Sequence, residues 1–100
     1  MIYKTPGNVV SPKDTISSVQ VLLDDGPDSV SIARIVWNGV EVIGMRWNIA
    51  MREWNEQEKI NNAKECLGMP VSRGYPTWFI LPEEMFDPNS KISKVLNDIK

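Results

Sequence analysis

Histidine is absent from these 100 residues, and cysteine occurs once, at Cys66. Without imidazole there is no Ser–His or Cys–His nucleophile pair, no histidine general base, and none of the commonest transition-metal ligand. A single thiol permits no internal disulfide and no cysteine-built zinc site, and it suits a reducing compartment. No apolar run approaches the roughly 20 residues of a membrane-spanning helix, and the opening Met-Ile-Tyr-Lys-Thr-Pro-Gly has no hydrophobic signal core. A large charge of either sign is also missing. The formal net charge of −2 argues against holding nucleic acid by bulk electrostatics, though it leaves room for a local basic patch. Gly68 and Gly74 are neither spaced nor placed for a phosphate loop. These absences lead us to expect a cytoplasmic, non-enzymatic protein with no membrane span, no cofactor and no metal.

The acids that remain do not restore catalysis. Asp24, Asp25 and Asp28 cluster in a turn that could in principle bind calcium, but they lack EF-hand spacing and its terminal bidentate glutamate. Turn formation and solubility account for them. Glu83 and Glu84 suit a helix start, and a lone thiol such as Cys66 more often packs as a small hydrophobe.

What the chain does contain is β-structure. Residues 30–48 hold two β-branched runs around Asn38-Gly39, a dipeptide whose backbone freedom suits a type I′ hairpin turn. Pairing Trp37 with Val40 sets the register: Ile35 faces Val42, Ala33 faces Gly44, Ser31 faces Arg46. Alternately, Val36 faces Glu41, Arg34 faces Ile43, Ile32 faces Met45, and Val30 faces Trp47. Both faces are then largely apolar, where a half-solvated hairpin would alternate. Each face needs a cover, from this chain or from a partner.

Upstream, residues 16–23 read as another strand, with a turn at Asp24-Asp25-Gly26-Pro27-Asp28, giving a three-stranded meander. Pro6-Gly7-Asn8 and Ser11-Pro12 suggest an irregular, partly mobile arm over residues 1–15. Downstream, Met51, Trp54, Ile60, Ala63 and Leu67 predict a helix of two to four turns within 51–66, ended by Gly68 and Pro70. Residues 68–76 read as a loop, and 77–81 as a short strand buried on both faces. Pro82 to Phe86 suit one helical turn. Asp87 as N-cap and Pro88 at N1 then open an amphipathic helix over 88–99, with Ile92, Val95, Leu96 and Ile99 as its stripe. That helix is the natural cover for one sheet face.

The most suggestive set is aromatic and basic. Trp37, Trp47, Trp54, Tyr75 and Trp78 interleave with Arg34, Arg46, Arg52 and Arg73. Exposed aromatics beside arginine stack unpaired bases and contact phosphates, while the same residue types dominate protein–protein hot spots. The plainer alternative is that several of these tryptophans fill the core, Trp78 first among them. Arg34 and Arg46 point to opposite faces in this register. The candidate nucleic-acid-binding residues are Arg34, Trp37, Arg46, Trp47, Arg73 and Tyr75.

The order of three strands, connection, strand and helix carries further cues. Gly44-Met45-Arg46-Trp47 closes the third strand, and Arg73-Gly74 leads into Trp78-Phe79-Ile80-Leu81-Pro82-Glu83-Glu84-Met85-Phe86. Over about residues 17–97 this resembles the positive-cofactor-four-type transcriptional coactivators that bind single-stranded DNA. The resemblance implies a homodimer packed through helix and sheet edge, gripping unpaired strands on a curved basic sheet. Arg34, Arg46, Trp47, Arg73 and Trp78 match the family's binding strands. Residues and resemblance together lead us to expect a single α+β domain over residues 1–100. It would be an antiparallel meander of about four strands with the C-terminal helix packed on one face. The expected role is binding single-stranded nucleic acid. The alternative is a protein-binding or oligomeric accessory protein.

Overall fold

Asn38 and Gly39 hold φ of 50° and 79°, the paired positive values of a tight hairpin turn. The strands they join, β2 (Val30–Trp37) and β3 (Val40–Trp47), pair antiparallel from Trp37 opposite Val40 to Val30 opposite Trp47, in the predicted register throughout. The computed structural model describes residues 1–99. Strand β1 (Ile16–Asp24) runs antiparallel along β2, with irregularities between Ile16 and Ser18 and between Val21 and Leu23. Two short strands, β4 (Val71–Ser72) and β5 (Tyr75–Pro76), make a small separate hairpin. Strand β6 (Phe79–Ile80) completes the main sheet beside Gly44 and Met45, giving the order β1-β2-β3-β6. With helix α2 (Lys91–Asp98) near the C-terminus, this is an α+β architecture built on a four-stranded antiparallel sheet. No helix among the described residues is long and apolar enough to cross a membrane.

One face of the sheet carries the core: Ala33 and Ile35 pack with Val9, Ile16 and Trp78, flanked by Val19, Trp37, Val42 and Ile80. Gly44 makes room for this, since a Cβ there would sit 2.5 Å from Ile35 Cδ1 and 3.1 Å from Trp78 Cβ. The cover is not the C-terminal helix. It is the N-terminal arm, whose Pro6 and Val9 are buried, together with Trp78, whose indole N–H donates to the Val9 carbonyl at 2.8 Å. The arm holds one 3-10 turn at Pro6–Asn8, and it is an integral layer of the core rather than a loose end. Cys66 N–H donates to Ile2 O at 2.8 Å, and Lys4 N–H to Cys66 O at 3.2 Å. The Tyr3 hydroxyl donates to Asp24 at 2.7 Å, and burial, then this bond, pushes its pKa up to about 12.

Three further expectations change. The segment 51–66 is a 3-10 stretch (Met51–Asn55) and a single-turn helix α1 (Gln57–Ile60), not one amphipathic helix. Its apolar residues Met51, Trp54 and Ile60 are exposed, while Glu53 is the residue drawn inside. Residues 77–81 are not buried on both faces, because Trp78 is buried but Phe79 is exposed. Helix α2 starts later than Asp87 and Pro88 suggested. Asp87 instead closes a turn, its side chain accepting from Asn89 N–H at 2.9 Å, and Ser90 caps the helix by accepting from Ser93 N–H at 3.1 Å. The helix rests chiefly on the turn Glu83–Phe86, and none of its residues is buried.

Candidate functional site

Strand alternation sends Val30, Ile32, Arg34, Val36, Ile43, Met45 and Trp47 to the face opposite the core, and none of them is buried. Phe79 joins them by pairing with Met45, and Leu23 by pairing with Ile32. Arg34 is the exception in chemistry. Its guanidinium meets Glu41 at 3.2 Å and donates to Gln20 at 3.0 Å, so its charge is already matched on the surface.

Toward the Trp47 end the face becomes continuous with the 3-10 stretch and with Met69. Two grooves meet there. One, of about 300 Å³, is lined by Met45, Trp47, Met69 and Phe79 with Val30, Arg46 and Pro70. The other, of about 450 Å³, is lined by Asp28, Trp47, Ile49, Met51, Trp54 and Met69. Met51 is 86% exposed, Phe79 59% and Trp47 50%. Solvent-facing methionine and tryptophan at this density form an adaptable apolar surface of the kind that marks an interaction site.

Behind the same strand end lies the reverse arrangement. Arg46 is 3% exposed, and its guanidinium donates to the carbonyls of Leu67 and Thr77, and to Pro70 O at 3.4 Å. Its carbon lies 5.9 Å from the centre of the Trp78 ring. Burial pulls its pKa down to about 10, with Glu53 acting the other way. Glu53 is fully buried and accepts four hydrogen bonds: Ala50 N–H at 2.8 Å, Leu67 N–H at 2.7 Å, Gly68 N–H at 2.7 Å and Lys59 Nζ at 2.6 Å. Burial alone would raise the Glu53 carboxyl. The Lys59 bond and then the three backbone donors outweigh it and hold the group below its ordinary value. Gly68 is obligatory at the centre, because it sits at φ 70° and a Cβ would collide with the Trp47 carbonyl and the Arg46 guanidinium. A smaller polar set adjoins it. Ser31 donates to Asn48 at 2.7 Å, and Asn48 donates to Gly26 O at 2.8 Å and to Asp24 at 3.2 Å, fastening the β1–β2 turn to the end of β3.

The six residues selected from the sequence are therefore not one platform. Arg46 is corrected to a structural role, since a guanidinium enclosed by backbone carbonyls is not available to phosphates. Trp37 is half-buried on the core face and Trp47 stands exposed on the other. Arg73 and Tyr75 lie on the β4–β5 hairpin, Tyr75 64% exposed, and with Lys13 and Thr77 they line a separate groove of about 530 Å³. Trp78, which the coactivator resemblance also implicated, is core. Sequence reasoning missed Met51, Met69 and Phe79 as site residues and Glu53 as a buried anchor. In the sequence Met51 reads as part of a helical stripe and Phe79 as part of a buried strand, and Met69 lies in the loop between. For Glu53 no local pattern marks burial. No family model, no curated protein and no solved structure matches this chain.

Proposed function

We propose that the protein is a small non-enzymatic binding module whose surface of Met45, Trp47, Met51, Trp54, Met69 and Phe79 docks an apolar segment of a protein partner. The observation that carries this reading is the inversion around Arg46 and Trp47. The Arg46 cation is enclosed by carbonyls, Arg34 is matched by Glu41, and the aromatic and methionine side chains face solvent. Such a surface gains affinity from apolar burial, at roughly 25 cal/mol per Å² before the costs of association, and binds with little salt dependence. A reducing, cytoplasmic setting suits the single buried thiol of Cys66.

Placing a photoreactive benzophenone side chain at Met51 in the intact chain, in the cells that produce it, tests the reading. The expected outcome is a discrete protein adduct that disappears when Trp47→Glu is added. An adduct indifferent to Trp47→Glu, or none, counts against a docking face.

A second reading has its own observation. Tyr75, Arg73 and Lys13 put an exposed ring beside two cations on one groove, the composition of a stacking site for an unpaired base. This is what remains of the single-stranded nucleic-acid, coactivator-like expectation, and it no longer involves Arg46. Titrating a mixed-sequence single-stranded oligonucleotide at low and then moderate salt decides it. Salt-reversible fluorescence quenching that Arg73→Ala removes favours this reading; no change at low salt rejects it.

A further inference from the structure

The two grooves of the docking face differ in charge. The smaller is lined by Arg46, whose guanidinium is enclosed by carbonyls. The larger is lined by Trp47, Trp54, Met51 and Met69, with Asp28 as its one charged residue. Asp28 belongs with Asp24 and Asp25 to the acidic turn between β1 and β2. Asp24 accepts from Tyr3 and Asp25 from Ser29, but Asp28 has no ion-pair partner among the described residues. We propose that the larger groove is a cation–π site for a trimethylammonium group, carried on the side chain of a trimethylated lysine in the docked segment.

Three properties of the groove select this group. First, two of the chain's four tryptophans line it, Trp47 50% and Trp54 42% exposed, and indole is the best ring partner for a cation. The cation–π contact inside the molecule is Arg46 over Trp78, so neither of these rings is already engaged by a cation among the described residues. Second, the supply of acceptors decides which cation fits. A lysine ammonium brings three N–H groups and a guanidinium five, whereas Asp28 is the one strong acceptor among the lining side chains; indole only donates and a thioether accepts weakly. A trimethylammonium has no N–H to satisfy, and its methyl groups present the charge to rings and soft thioethers. Third, Trp47 and Met69 line both grooves, so one extended segment can seat an apolar side chain in the smaller while its cation enters the larger. Arg46 on one groove and Asp28 on the other set that order, since like charges repel. A free quaternary ammonium ion would occupy one groove and leave the other empty.

The inference rests on the docking-face reading and adds one charge to the segment that reading describes. Proton NMR titrations with the full chain test it. The probes are choline, its neutral carbon analogue with a tert-butyl group in place of the trimethylammonium, and a blocked Leu-Ala-Lys-Ala-Leu peptide with its lysine trimethylated or unmodified. The N-methyl signals of choline and of the trimethylated peptide should move upfield, as the ring currents of adjacent indoles require. The neutral analogue and the unmodified peptide should each bind at least about fivefold more weakly than their methylated-ammonium counterparts. The trimethylated peptide should bind at least about tenfold more tightly than choline, because a leucine reaches the second groove. Trp54→Leu keeps an apolar side chain without the indole and should abolish most of the upfield shift; Asp28→Asn should weaken both cations. Both residues are exposed, so circular dichroism of each variant should match the parent. A neutral analogue that binds as tightly as choline, or a shift indifferent to Trp54→Leu, overturns the cation site. Equal binding of the two peptides overturns the selection of the methylated group. Choline binding as tightly as the trimethylated peptide overturns the lysine source in favour of a free quaternary ammonium ion. If neither cation binds, the inference falls, and the benzophenone adduct at Met51 decides the rest: an adduct sensitive to Trp47→Glu keeps the docking face, and its absence overturns both.

Discussion

Arg46 and Trp47 are neighbours on β3 with opposite environments. The cation points inward, 3% exposed, into a cage of carbonyls, while the indole beside it points outward, half in water. The contrast extends to whole regions. Behind the strand, Arg46, Glu53 and Lys59 are buried among backbone groups of residues 50 and 67–77. In front of it, three methionines, two tryptophans and a phenylalanine surround open grooves. Burying charge is costly unless every lone pair and proton is matched, so the first region reads as architecture. Exposing that much apolar surface is unfavourable unless something covers it, so the second reads as function.

The comparison breaks most visibly at Glu53. Glu53→Ala leaves Lys59 and three backbone N–H groups without their acceptor, and should cost about 3–5 kcal/mol in urea unfolding. A loss under about 1 kcal/mol would mean the carboxylate does not organise residues 50–68. Next is Gly39→Val. Position 39 sits at φ 79° with open space around it, so the penalty is backbone strain alone, about 1–3 kcal/mol by thermal melting. An unchanged melting temperature would overturn the tight-turn assignment.

Acid sharpens the same contrast. The folded-state pKa of Glu53 lies below its ordinary value, so as pH falls the unfolded chain takes up the proton first. The contribution is complete above the ordinary carboxylate range and is lost as pH drops through it and below. Lys59 is shifted the other way: burial lowers it, but the bonds to Glu53 and Glu56 more than compensate and raise it. Its contribution is complete below the ordinary lysine range and is lost as pH climbs beyond it. Urea midpoints between pH 3 and 7 should fall steeply for the parent and less for Glu53→Gln; parallel curves would remove Glu53 from the account. The smallest effect belongs to the open face. Trp54→Ser should change stability by less than about 1 kcal/mol while weakening any partner bound there. A larger loss would make Trp54 a packing residue.

The hairpin was fully legible in the sequence because its signals are local: Asn-Gly fixes the turn, and a period of two fixes every pair from it. The N-terminal arm was not, because the bond that fastens it, from the Trp78 indole to the Val9 carbonyl, spans nearly 70 positions along the chain. Nor was the broken helix at 51–60. Its apolar spacing was real, but those side chains serve the surface, while Glu53 turns inward to collect backbone donors from residues 67 and 68. Of the candidate site, the strand aromatics could be anticipated by register. Which arginines are free could not, since that depends on the carbonyls that the later loop brings to Arg46.

The most direct measurement is the stability of Arg46→Ala beside Trp47→Ala, by urea unfolding under identical conditions. Arg46→Ala should cost about 3 kcal/mol or more, because three carbonyls lose their donor, and Trp47→Ala about 1 kcal/mol or less. Equal losses, or the reverse order, would contradict the assignment of the inner region to architecture and the outer one to binding.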